Sequence, residues 1–539
     1  MHIPSKLLNS LAVLLMALFF ILLLQTIKPL DNIPPVTSPS THPEYWQGIP
    51  LPKMGLDLIP LCDPIPVSKG PIETMIPAIA VSGGITGVPY LVHILWTEPA
   101  AASSEIVQAT GPTDGSAFSY PRPVTTPNGY DSYNPVAING AHYAYLGFLD
   151  EVMMVRDIWF AAGSIIGWTE PEPVSNLQAG TLAWGPVPIA FFDAKSGYEL
   201  PLMLWYDHRH NNSEIFFASR VNGVNFLGPG KGGFALEGGG WHKPVRITDD
   251  AWPQYDLSAD WASACADLER NIIHLVYSDS RFADTAPRAN ERKGNFEIFY
   301  RTIRPLGPLV KPHYGPNSPK IDQDWEVGEE LRLSDTPDIS DAPSVCAKKF
   351  QGNTDLTTAM VVWTEHDASW KRSKIYFRMV KDGTPGDIRL LTPPDAIAMF
   401  PSIIYIPMDG HSELAAVCYQ QYEPGQVFPD GNANIYMRII DGERISEPIE
   451  ISNSTHTSGF PKLTRPGFNL KPESDILVTW GEMTQPTGNA GLQTGTTPAV
   501  AATFPSSESS CYPRIITYNP PSSPPSNRIL FRSFHLMKH

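Results

Sequence analysis

The stretch LMLWYDHRHNNSEIFFASRVNG, residues 202–223, decides the architecture. Its first half, LMLWYD, is a short apolar run ending in an aromatic and an acid. Runs of this length, rich in aliphatic and aromatic residues and bounded by turn formers, suit strands buried on both faces. The second half, EIFFAS, opens with an acid and carries Ile and Phe, which favour a pleated surface. The polar residues between, His208 to Ser213, make the hairpin connection.

The same hairpin recurs seven times. The first halves end at Glu98, Asp150, Asp207, Asp279, Glu365, Gln421 and Glu482. An aromatic stands two residues before each: Trp96, Phe148, Trp205, Tyr277, Trp363, Tyr419 and Trp480. The second halves centre on Ile106, Ile158, Ile215, Ile298, Ile375, Ile435 and Ile529. Four of these carry an arginine three residues on: Arg301, Arg378, Arg438 and Arg532.

Each hairpin has flanking runs. Before it stands a short segment that usually contains proline, such as NPVAI, APSVCA, FPSIIY or FPKLTR. After it comes a run ending in a small hydroxyl, such as RPVTT, PEPVS, KPVRIT or EPIEIS. That gives four strands per repeat, and four-stranded units arranged about a ring are propeller blades. The expected fold is therefore all-β: a seven-bladed β-propeller with four-stranded antiparallel blades. The seventh repeat ends with the chain and lacks its fourth strand. DPIPVS, residues 63–68, resembles EPIEIS, residues 447–452. The N-terminal segment is expected to supply the missing strand and close the ring, leaving no open gap between blades.

The repeat overrides the several-domain expectation for 539 residues. The 55 prolines and 41 glycines punctuate many short strands. A net charge of −16 argues against nucleic acid as a partner, since that needs a basic surface. No phosphate-binding loop, dinucleotide fingerprint or HExxH helix occurs, so no cofactor is implied. None of the five cysteines forms a CxxC pair. Cys62 flanks the proposed closing strand and Cys511 lies in the last blade's long insertion; a disulfide between them would lock the ring in an oxidising compartment.

Residues 1–30 carry the membrane signal. Lys6 precedes Leu11 to Leu24, an unbroken apolar run, and the wider span Leu7 to Ile27 is about long enough to cross a bilayer. The expectation is one uncleaved N-terminal transmembrane helix with Lys6 inside. The competing reading is a secretory signal peptide. Both place the propeller, residues 56–539, outside the cytoplasm: periplasmic or at the cell surface, or secreted if cleavage occurs. Residues 31–55, rich in proline and hydroxyls, read as a spacer. Long insertions follow at 221–241, 280–294, 304–327 and 483–527. They are expected to crowd one face, where a partner would bind.

The run W-x-D/E, a polar turn, then E-I-[YF]-[YF]-R resembles the repeats of the sialidase-like, BNR-type propeller superfamily. The resemblance covers about residues 60–539 and implies the propeller fold. The S-x-D-x-G-x-T-W Asp boxes usual in sialidases are absent. Arg209 and Arg281 follow blade acids in D-x-R contexts, but no arginine, tyrosine and carboxylate constellation can be assembled. Glu98, Asp150, Asp207, Asp279, Glu365 and Glu482 form a repeated ring on one loop face. Carboxylates so placed could hold a cation or act as an acid–base pair. A feature shared by six blades is more simply structural, each acid capping its own hairpin through backbone N–H groups. His208 and His210, and the oxygen-rich DGNAN at 430–434, are weaker metal candidates. The sequence-level expectation is a membrane-tethered module that binds a protein or glycan partner or scaffolds a larger complex. The alternative is a sialidase-like glycoside hydrolase or lyase.

Overall fold

Seven antiparallel sheets follow one another along the chain, each carrying one copy of the repeat. The computed structural model describes residues 48–538, less 221–239, 250–261, 280–295, 308–323, 348–357, 424–430, 468–474, 484–526 and scattered stretches of one to four other residues. The innermost strands are Ala78–Ser82, Asp131–Asn139, Ala183–Asp193, Ala262–Asp267, Ile339–Ala347, Ala398–Tyr405 and Thr457–Thr464. They line the central channel, and the second, third and fourth strands step outward. In blades two, four, five, six and seven the fourth strand is split into two short pieces on the same third strand. This is the expected seven-bladed β-propeller. The transmembrane expectation falls on residues outside the described set; among the described residues no helix is long and apolar enough to cross a membrane.

One hydrogen-bond clasp repeats in all seven blades. The residue before each fourth-strand hydroxyl (Val124, Val174, Ile247, Leu333, Leu391, Ile451 and Val67) donates its N–H to the carbonyl of the third-strand isoleucine, at 2.7–2.8 Å. The hydroxyl next in sequence accepts that isoleucine's own N–H, at 2.7–3.1 Å. Thr125, Ser175, Thr248, Ser334, Thr392, Ser452 and Ser68 fill this role. The side chain thus replaces a ladder carbonyl where the short fourth strand turns away, so no buried isoleucine N–H is orphaned. This gives the hydroxyl that ends each repeat its physical reason.

The clasp also proves the seam. Ile65 pairs with Phe531 and Pro66 with Leu530. Leu56–Pro60 pairs with the upper half of the same strand, Leu56 opposite Lys538 and Pro60 opposite Phe534. Both pieces of the last blade's fourth strand therefore come from the N-terminal segment, one more than DPIPVS alone implied. Ile49 makes a parallel bridge to Ser446, which ties the entering chain to blade six. Cys62 sits between the two pieces, its Sγ 3.5 Å from Ser533 Oγ; its proposed partner Cys511 lies outside the described residues.

Apolar clusters fill the spaces between neighbouring blades. One joins Tyr145 and Phe160 of blade two to Trp205 and Phe216 of blade three. The third-strand arginines act as straps across these joints. Arg378 Nη1 donates to Leu333 O of the previous blade at 2.6 Å, and Arg532 Nη1 to Ile451 O at 2.6 Å. Near the axis, Asn139 of blade two accepts Val81 N–H of blade one at 2.7 Å and donates to Arg465 O of blade seven at 2.6 Å. Three blades are stitched there by one amide.

The seam yields a prediction. Ser68→Ala leaves the buried Ile529 N–H without its acceptor, which costs about 1–3 kcal/mol. Ser68→Thr keeps the hydroxyl and should stay close to the wild-type unfolding midpoint. Equal stability of the alanine variant in denaturant titration would show that the N-terminal strand does not hold the ring closed.

Candidate functional site

The repeated acids lie at the ends of the second strands, where each hairpin turns. In blades one to four each stands opposite a second acid on the third strand: Glu98 and Glu105, Asp150 and Asp157, Asp207 and Glu214, Asp279 and Glu297. Blades five and seven pair an acid with a base instead, Glu365 with Lys374 and Glu482 with Arg528. The third-strand acids hold the clasp hydroxyls: Thr125 donates to Glu105, Ser175 to Asp157, Thr248 to Glu214 and Ser334 to Glu297.

The second-strand acids are also engaged, though not as hairpin caps in general. Trp96, Trp205 and Trp363 donate their indole N–H to Glu98, Asp207 and Glu365 at 2.8, 2.8 and 3.1 Å. This explains the aromatic-x-acid spacing: residues two apart share a strand face, and a buried indole N–H needs an acceptor. Asp150 accepts from Ser132, and Glu482 pairs with Arg528 at 2.6 Å. Asp207 also takes a backbone N–H, from Arg209, whose guanidinium chelates the same carboxylate and lies 4.3 Å from the centre of the Phe216 ring. Arg209 is thus held on blade three's hairpin rather than directed to the channel. Asp279 is fully buried. Arg281, His208, His210 and Asp430 lie outside the described residues. Asn434 is spent on Ser452, Ser454 and Glu423. Among the described residues no three His, Cys, Asp or Glu side chains converge on a metal position.

The asymmetric features lie on the inner strands. Five of them carry a bulge in which two residues face one: Asn134-Pro135, Gly185-Pro186, Ala342-Pro343, Phe400-Pro401 and Phe460-Pro461. In every case the single opposing residue is the second-strand aromatic: Phe148, Trp205, Trp363, Tyr419 or Trp480. The first bulge residue has a left-handed backbone, with φ between 46° and 57°. For the four that are not glycine this costs about 1–2 kcal/mol each. Proline fits the second place because it lacks the N–H that a bulge leaves unpaired. The bulges sit on the hairpin side of the channel mouth. There Phe400 and Phe460 of adjacent blades, both half-buried, pack with centroids 4.5 Å apart. Between blades two and three, the Arg156 guanidinium lies 3.4 Å from the centre of the half-buried Trp184 ring and 5.6 Å from Tyr133. Arg156 and Tyr133 both bond Glu151, each at 2.6 Å.

Immediately after the bulge prolines, and at the matching place in the two blades without a bulge, one inner-strand residue per blade stands at a common level. Each residue pairs with the one just before a second-strand aromatic: Ala78, Val136, Val187, Ser263, Ser344, Ser402 and Lys462. Three consecutive blades give an apolar arc and the other four a polar one. Lys462 is exposed among buried neighbours. Even so, the surrounding walls remove enough water that its ammonium pKa falls.

Burial perturbs four acids on the hairpin side, Glu297 among them. It raises Asp150 to about 6, with Glu105 and Asp157 adding to the effect and Ser132 opposing it. It raises Glu365 to about 7, against the Trp363 hydrogen bond and with help from Glu297. Glu98 also moves up through burial. Beside Glu365, burial would lower His366, but the Asp341 carboxylate 3.0 Å away outweighs it and the imidazole pKa rises. In blade one, on the opposite side, His93 lies between Ser82 Oγ at 2.8 Å and Gln108 Oε1 at 3.0 Å. Gln108 Oε1 also takes the Trp168 indole N–H, which fixes this atom as the oxygen. His93 therefore carries its proton on Nδ1 and accepts from Ser82. Ser82 is 2% exposed, so the trio is a closed polar network.

The sequence reading missed the bulges and the channel ring, although their prolines were visible. It also placed all long insertions on one face. The connections at 221–241 and 304–327 join third to fourth strands, and the strand ends that flank them lie at the end of the blade opposite the hairpins.

No protein-family description and no curated protein matches the chain. Solved structures resemble it in fold. A protein of unknown function from Dyadobacter fermentans covers 90% of this chain and all of its own, at 12% identity and a TM-score of 0.37. The six-bladed fucose-recognising lectin of Aleuria aurantia covers 71% of this chain and 99% of its own, at 10% and 0.35. A mutant Trypanosoma rangeli sialidase with trans-sialidase activity aligns over 80% of this chain and 57% of its own, at 10% and 0.34.

A carboxyl whose pKa is raised on folding makes the folded state relatively less stable as pH climbs from the unfolded value to the folded one. For Glu365 that window runs from about 4.5 to about 7. Glu365→Gln keeps an acceptor for the Trp363 indole but cannot ionise. Its stability relative to wild type should rise across this window and level off above it. A difference independent of pH in denaturant titrations at pH 4.5, 6 and 7.5 would contradict the buried, protonated state of Glu365.

Proposed function

We propose that the protein is a membrane-tethered, extracytoplasmic binding module that grips a glycan at the hairpin-side mouth of its channel. The observation that carries this reading is the set of strained inner-strand bulges. Backbone strain of this kind persists where the surroundings over-determine it, and it gathers at ligand sites. Bulges re-aim side chains, and here they hold half-buried aromatics, Phe400 with Phe460 and Tyr133 with Trp184, at the mouth. Aromatic faces beside a few fixed polar groups, here Arg156 and Glu151, suit the apolar faces and hydroxyls of a sugar.

Two features favour binding over hydrolysis. The carboxylates of the hairpins are committed to indoles, hydroxyls and guanidinium groups. The arginines beside them are neutralised as well: Arg156 by Glu151, Arg209 by Asp207, Arg246 by Glu214, Arg332 by Glu297 and Arg528 by Glu482. The paired acids of blades one to four make this face unfavourable for a carboxylated sugar, so the reading favours a neutral one. The tether rests on the apolar run Leu11 to Leu24 behind Lys6.

A glycan array probed with the purified chain should give binding to neutral oligosaccharides. Tyr133→Ala and Phe460→Ala should each weaken it at least tenfold, with thermal unfolding recorded as the folding control. Turnover of chromogenic glycosides by the wild-type chain, or undiminished binding by both variants, would overturn the proposal.

A further inference from the structure

Lys462 is the only lysine or arginine on any of the seven inner strands. It stands where two neighbouring blades, five and six, have serine. Each of those serines, and Ser263 before them, accepts a backbone N–H from the next blade: Val345 N to Ser263 Oγ at 3.3 Å, Ile403 N to Ser344 Oγ at 3.3 Å, and Leu463 N to Ser402 Oγ at 3.1 Å. A hydroxyl that accepts one N–H still has its own proton to give. Among the described residues these three protons have no acceptor and the Lys462 ammonium has no anionic partner. One arc of the channel therefore offers three hydroxyl donors and one cation at a single level. The matching positions of the other three blades are apolar, and Ala78 and Val187 are buried in the cores between blades.

We infer that the arc of Lys462 and the three serines binds an oxyanion, a carboxylate or phosphoryl group, carried on a small ligand. An isolated ammonium in a partly desolvated channel is held at a cost, and burial without a counter-charge lowers its pKa. A bound oxyanion would supply the missing counter-charge and satisfy the hydroxyls through charge-assisted hydrogen bonds. The ring differs from blade to blade, whereas the clasp hydroxyls and buried aromatics recur around the toroid, as expected for structural parts. The inference stands apart from the glycan reading, because Lys462 is not among the mouth aromatics.

The test is isothermal titration of the full-length chain in mild detergent and phosphate-free buffer. The probes are inorganic phosphate, sulfate, acetate and glucuronate, with glucose as the neutral control. Saturable binding of at least one oxyanion is expected, and the pattern among the four separates a phosphoryl from a carboxylate ligand. Affinity should weaken as pH rises towards the ordinary lysine value, because the lowered ammonium pKa brings loss of the charge earlier than for a solvated lysine. Lys462→Met should weaken binding at least tenfold and Ser402→Ala severalfold. The Met variant removes a charge that has no partner, so its unfolding midpoint should equal or exceed that of wild type. No oxyanion binding by wild type, or unchanged binding by a folded Lys462→Met variant, would overturn the inference whatever the glycan array gives.

Discussion

Every blade depends on one small exchange of hydrogen bonds: the third-strand isoleucine gives its N–H to a hydroxyl and takes an N–H from the residue before it. The fourth strand is too short to run a full ladder, in places only two residues long. A serine or threonine lets so short a strand satisfy both backbone groups of its partner and then leave. That makes the outermost strand separable from its own blade's continuous chain. It can be delivered from the far end of the sequence, as Val67 and Ser68 deliver it to Ile529. Ring closure rests on this local chemistry together with the five-residue pairing of Leu56–Pro60 along the same third strand.

The second constraint couples the aromatic of the second strand to the channel. Each large ring in blades two, three, five, six and seven stands opposite a two-residue bulge on the inner strand. The inner strand is an open edge, where proline and bulges are tolerated. The aromatic fills the blade-to-blade core, and the bulge turns the inner strand so that the following residue faces the channel ring. Blades one and four lack the bulge and still place Ala78 and Ser263 at the same level. The bulges therefore aim the rim more than they set the ring. This is why the rim carries side chains as different as Asn134 and Phe460 on nearly the same backbone.

Much of this was legible in the chain. Short apolar runs, the aromatic-x-acid spacing and the terminal hydroxyls identified seven blades and the permuted seam. They did so because each marks a buried contact that every blade must make. The acid ring was visible for the same reason, and its even repetition pointed to structure before any contact was seen. The bulges were hidden because proline in a strand run also signals an edge or a start, and only register distinguishes these. Lys462 was hidden within FPKLTR, where a lysine after an apolar pair reads as a solvated face. What gives it meaning is its level among Ser263, Ser344 and Ser402, which lie between 60 and 199 residues away in sequence. Register between strands creates that level, and no local pattern encodes it.

The distribution of charge follows from the same division between repeated and singular parts. Acids repeated at the hairpins bond indoles and hydroxyls, so they stay close to the positions where the fold uses them. Where two acids face each other and one is buried, as at Asp150, desolvation and its neighbours favour the protonated form. The face is therefore less negative than a count of its carboxylates suggests. Among the described residues Lys462, the one cation on the inner strands, has neither an anionic partner nor a repeat. A side chain present in one blade of seven, at a level where the three preceding blades offer hydroxyls, is not needed to build the ring. Its position is best understood through what enters the channel.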